Sequence, residues 1–148
     1  MKKYAYIYIA TLIVVGVLGV NAQAQSSRNR QELRATIPFD FTAGNKLLPA
    51  GTYRVHVVVP SSDRCLLQIA NTDGQASAMV GTIDMEGKPS ETARLTFRRY
   101  GNQYFLAQVW MAAEASGFDT PSSKAEKSLR RRPGNVAKNV EVVAQSAR

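Results

Sequence analysis

Cys65 and His56 are the only residues of their types in the chain, so a thiolate–imidazole pair is the sharpest catalytic arrangement on offer. Such a pair works when the imidazole stands within hydrogen-bond reach of the thiol and lowers its pKa. The local pattern speaks against it. Cys65 shares strand parity with Leu67 and Ile69 and should point into a core, whereas His56 falls opposite Tyr53, Val55 and Val57. The expected role of Cys65 is that of a small buried hydrophobe. Metal chemistry has even less to stand on. One Cys and one His give neither C-x-x-C nor H-x-x-H spacing, and structural zinc takes four such ligands. Asp84 and Glu86 put two carboxylates in a polar stretch, short of the run of oxygen ligands that a calcium loop needs. Nothing in the pattern favours paired carboxylates for glycoside cleavage. The chain also lacks a Gly-rich phosphate loop and a G-x-S-x-G elbow. The expectation is a protein without catalytic residues, metal or cofactor, with a hydrolase of unknown type as the last alternative.

A binding role has more candidates. Arg94, Phe97, Arg98, Arg99, Tyr100, Tyr104, Phe105 and Trp110 interleave basic and aromatic character over one short stretch. In a cytosolic protein that mixture would suggest nucleic acid, with bases stacked on rings and arginines on phosphates. Export, argued below, excludes that partner. Arg98, Arg99, Tyr100, Tyr104 and Trp110 are therefore candidate ligand-binding residues for a glycan, since Tyr and Trp stack on sugar rings and Arg faces anionic groups. The competing expectation is that Phe97, Phe105 and Trp110 fill the core while the arginines form a solvated face, and strand spacing favours it. Arg130, Arg131 and Arg132 form a second basic cluster, suited to a helix C-terminus or to anionic lipid.

The elements that must position these residues belong to an exported protein. Met1-Lys2-Lys3 is a positive start, residues 4–20 are a nearly unbroken apolar run, and Asn21-Ala22-Gln23-Ala24 ends in a small-x-small pattern. That is the layout of a signal peptide (residues 1–24) cleaved after Ala24, and the alternative is an uncleaved N-terminal anchor. The expected location is the periplasm, the outer-membrane surface or the medium. Losing Lys2 and Lys3 with the leader lowers the formal charge from +8 to +6. A basic exported protein suits an anionic glycan, a lipid surface or another envelope protein as partner. With a single cysteine no intramolecular disulfide is possible.

After a flexible lead-in over 25–34, with a short helix expected at 30–33, the pattern turns to period two. Strands are expected over 35–41, 52–59, 64–70, 76–83, 92–100 and 104–111, with 136–144 as a further one. Pro38 in the first of them calls for an edge or a bulge. Gly44-Asn45, Asp73-Gly74 and Gly101-Asn102 mark turns. Residues 112–120 read as a loop. Ser123-Lys124-Ala125-Glu126 has the S-x-x-E form of a capping box and opens a helix over about 122–132, which Pro133-Gly134 ends. Six or seven short strands with one late helix argue a single mainly β domain over 35–144, a small antiparallel barrel or sandwich.

Ile37-Pro38-Phe39-Asp40-Phe41, followed by Leu48-Pro49-Ala50-Gly51-Thr52-Tyr53-Arg54-Val55, resembles the opening of a group of small exported bacterial proteins. The run from Phe97 to Trp110 and the helix start at Ser123 resemble later parts of the same group. The resemblance implies a β-rich, exported chain and carries no activity or ligand with it. The function expected from the whole reading is a non-enzymatic, envelope-associated structural or binding domain. Binding of a lipid or other apolar ligand inside a small barrel is the alternative.

Overall fold

The computed structural model describes residues 32–59 and 65–147. The leader, most of the lead-in and residues 60–64 lie outside the described residues. In chain order the strands are β1 (Glu32–Ile37), β2 (Phe41–Ala43), β3 (Lys46–Leu48), β4 (Gly51–Val59), β5 (Cys65–Asn71), β6 (Ser77–Glu86), β7 (Ala93–Tyr100), β8 (Gln103–Trp110), β9 (Ser116–Asp119) and β10 (Lys138–Ala147), with the helix α1 (Lys124–Arg130) between the last two. Eight of them close into a barrel, β8-β7-β10-β1-β4-β5-β6-β9, because β9 pairs with both β6 and β8. The mainly β class is as expected, and barrel rather than sandwich is the outcome. Among the described residues no helix is long and apolar enough to cross a membrane.

Pro38 does more than mark an edge. The expected single strand over 35–41 is two strands: β1 pairs with β4 and β10, while β2 pairs with β3 and β8. A residue without an N–H and with fixed φ cannot continue a ladder, and the chain crosses the barrel at that point. Phe41 lands edge-on against both Tyr53 of β4 (5.1 Å) and Phe97 of β7 (5.3 Å), filling the interior between them. The first strand also starts earlier than expected. Glu32 and Leu33 are strand residues, not helix, because Leu33, Ala35 and Ile37 are all inward and buried.

The motif that follows is explained by these contacts. The Asp40 carboxylate accepts from the Ala50 N–H at 2.8 Å, and the Tyr53 hydroxyl donates to the Pro49 carbonyl at 2.6 Å. A Cβ at Gly51 would sit 3.0 Å from the Asn71 side-chain nitrogen, so a larger residue there would have to displace that amide. Gly44 (φ 61°) and Gly101 (φ 59°) each open a two-residue hairpin loop, the glycine-first turn whose twist matches its strands.

β8 carries apolar residues on both faces because it holds a bulge. Thr96 pairs with Gln108 but Phe97 pairs with Leu106, so Ala107 is an extra residue that inverts parity. Leu106 and Val109 therefore both face the core. Thr120 holds this bulge, its N–H and hydroxyl donating to the Ala107 carbonyl (2.7 and 2.9 Å) and its hydroxyl also to the Leu106 carbonyl. The region expected as a loop at 112–120 contains β9, whose Ser-Gly-Phe-Asp sequence has little strand propensity of its own. β10, in contrast, is no fringe element but lies between β7 and β1.

Candidate functional site

The five residues expected to bind a ligand do not share a face. Tyr100 (4 % exposed) and Arg98 lie outside the barrel wall but under α1, where they meet Glu126. The helix starts as its sequence requires: Ser123 caps it and accepts from the Glu126 N–H at 3.2 Å. That turn drives the Glu126 side chain into the wall, 2 % exposed. Its carboxylate is met by Arg98 Nε at 2.6 Å, by Arg98 Nη2 at 3.4 Å and by the Tyr100 hydroxyl at 3.3 Å. Arg98 Nη2 also donates to the Thr120 carbonyl at 3.1 Å. Burial, then the nearby Glu126 charge, raises the Tyr100 pKa above its usual 10.0. At Nε the pairing is ionic only, close to the carboxylate but without hydrogen-bond geometry.

Tyr104 is likewise occupied. Its ring stacks on Phe39 with centroids 3.8 Å apart, and the Arg99 guanidinium stands 5.4 Å from the ring centre. Arg99 Nε donates to the Gly101 carbonyl at 2.6 Å. Trp110 is 8 % exposed and walled in by backbone. A Cβ at Gly87 or Gly117 would come within 2.5 or 2.6 Å of its indole, and Arg94 lies 5.3 Å from the ring centre. The three aromatic rings thus serve three separate packing sites and form no common platform with one another.

Cys65 and His56 stand on opposite faces, as their parity implies. Cys65 is buried; burial raises its thiol pKa above the usual 9.0, with the Asp84 carboxylate adding in the same direction. A thiol held protonated is a poor nucleophile. His56 is half-buried on the outer face between Glu32 and Gln68. No group of three His, Cys, Asp or Glu side chains gathers as a metal site among the described residues.

A site that the sequence did not suggest lies at the seam of the barrel. β9 covers β6 only from Ile83 to Glu86, and the other half of that edge faces the tip of the β2–β3 hairpin without being paired to it. Gly44 closes the approach: a Cβ there would lie 3.7 Å from Val80. Above this contact runs an open groove of about 680 Å³, bounded by residues 43–46, 77–81 and the chain entering α1, 121–124 with Lys127. Its side chains include Lys46, Lys124 and Lys127, with Asn45, Ser77 and Ser122 as polar neighbours, and neither a carboxylate nor an aromatic ring. The three ammonium groups make no ion pair among the described residues. They come from positions about eighty residues apart, so no spacing in the sequence announces them. The one available signal was the excess of positive charge.

Comparison with protein-family models, with curated proteins and with solved structures returned no match.

Proposed function

We propose that this is an exported, non-enzymatic binding protein of the cell envelope, and that its ligand is an anion held in the seam groove. The observation that carries the reading is the groove itself: three lysines without an ion partner among the described residues line one concavity of ligand size, and no carboxylate does. On β7 the arginines are engaged, Arg98 with Glu126 and Arg94 with Glu141 and Trp110. The barrel interior supports a surface site over an internal apolar one, because Phe41, Tyr53, Phe97, Leu67 and Ile69 already fill it. The leader-like start supports export. Lysine offers a compact point charge, suited to phosphate or sulfate without bidentate geometry.

Calorimetric titration tests this with tripolyphosphate as the anion and neutral dextran as the control. Tripolyphosphate should bind, more weakly as salt rises, and the triple change Lys46→Gln, Lys124→Gln, Lys127→Gln should abolish the heat. Equal binding by the triple variant would sink the proposal, as would a preference for dextran.

A further inference from the structure

We infer that the seam groove is a membrane-docking surface, taking an anionic lipid phosphate among Lys46, Lys124 and Lys127 while Leu47 and Met79 enter the headgroup layer. The inference rests on reading the groove as an anion site and adds the class of partner.

Two sets of observations meet at one place. The first is the charge already described, which Arg130, Arg131 and Arg132 extend beyond Lys127 along the exposed end of α1. The second is apolar. Leu47 is 69 % exposed and Met79 59 % exposed, and they stand on the outer faces of β3 and β6, the strands on either side of the groove. Ile83, also exposed, follows Met79 on the same face of β6. The hairpin register sets the two chemistries on adjacent residues. Lys46 pairs with Ala43 and Leu48 with Phe41, so they share the inward face, while Leu47 pairs with Thr42 on the outward one. At the tip of a two-residue turn the inward face of Lys46 opens into the groove.

A soluble phosphate would need the lysines and gain nothing from the large apolar side chains beside them. A lipid surface uses both, since basic residues meet its headgroups and apolar ones are buried in the interface. A neutral glycan fits less well, because the groove offers no ring for a sugar to stack on. The chain's own segment ahead of β1 is no better an occupant. It carries Arg28 and Arg30, and the lysines repel it.

Vesicle co-sedimentation decides the matter, using the chain from Gln25, which carries every described strand and the helix. Vesicles of phosphatidylcholine alone are compared with vesicles containing phosphatidylglycerol. The protein should bind the anionic vesicles and leave the neutral ones. Lys46→Glu, Lys124→Glu and Lys127→Glu together should lower that binding on the order of a hundredfold. Leu47→Ser, which lies outside the groove lining, should lower vesicle binding several-fold and leave tripolyphosphate binding unchanged, which also shows that this variant is folded. Tripolyphosphate binding without vesicle binding would overturn the lipid inference and leave the anion site standing. Failure of both would remove both. Vesicle binding that survives the lysine and the apolar changes would place the docking surface elsewhere and overturn the inference.

Discussion

Glu126 ties the helix to the barrel. Removing its side chain would leave Arg98, only 24 % exposed, facing a buried space without a counter-charge, and would strip the Tyr100 hydroxyl of its acceptor. Breaking one partner out of a buried pair costs far more than a surface pair is worth. Because Arg98 keeps some access to water, Glu126→Ala should destabilise the fold by about 2–3 kcal/mol. Glu126→Gln, which retains acceptors without the charge, should cost less. Denaturant unfolding of the three proteins checks the order. This role was half legible beforehand. The S-x-x-E pattern named Glu126 as a capping residue, but its sequence neighbours say nothing of Arg98, which is 28 positions away. The candidate ligand residues went the same way: Tyr100 and Trp110 have the types that bind sugars and the spacing that packs strands, and packing took them both.

At the level of elements, six of the seven segments expected as strands each form one, the seventh (35–41) divides in two, and Ser123 starts a helix where the capping pattern placed it. Propensity and alternation suffice for these because each buries one face independently of the others. The departures are tertiary. β1 and β2 divide at Pro38 because their partners lie on different sides of the barrel, and no local pattern encodes a partner. β9 exists because Trp110 needs Gly117 beside it and because β6 and β8 leave an edge to fill. This gives a sharp expectation. A Cβ at Gly117 would lie 2.6 Å from the indole, so Gly117→Ala should cost roughly 1–3 kcal/mol. Since Trp110 is the sole tryptophan, the same variant should change its emission. Gly81→Ala, where a Cβ meets nothing within 4 Å, should leave both stability and emission as they are. Thermal melts followed by fluorescence compare the two.

For the whole molecule, three buried groups shift in the same direction. Tyr53, Tyr100 and Cys65 are all raised, chiefly by burial, above their usual 10.0, 10.0 and 9.0. Each is neutral in its protonated form, so the unfolded chain loses these protons before the folded one does. The unfolded state therefore binds fewer protons above about pH 9, and stability falls as pH rises through that range. It is unaffected by these groups below it. Melting temperature should decline steadily from about pH 9 to pH 11, and Tyr53→Phe with Tyr100→Phe should flatten the decline. A flat alkaline profile in the unaltered protein would contradict the burial of these hydroxyls.

The same scale holds the central claim. Barrel closure brings Lys46 on an early hairpin to the same groove as Lys124 and Lys127 on a late helix, and it is this assembly, not any segment, that the proposed anion site rests on. Net charge was visible in the composition, but its concentration at one seam follows only from β6 being longer than β9 can cover. Amide chemical-shift mapping during a tripolyphosphate titration tests the claim most directly. The shifts should gather at residues 43–46, 77–81 and 121–127 and saturate together. Shifts centred instead on Arg99 and Tyr104, or spread evenly over the basic surface without saturation, would contradict it.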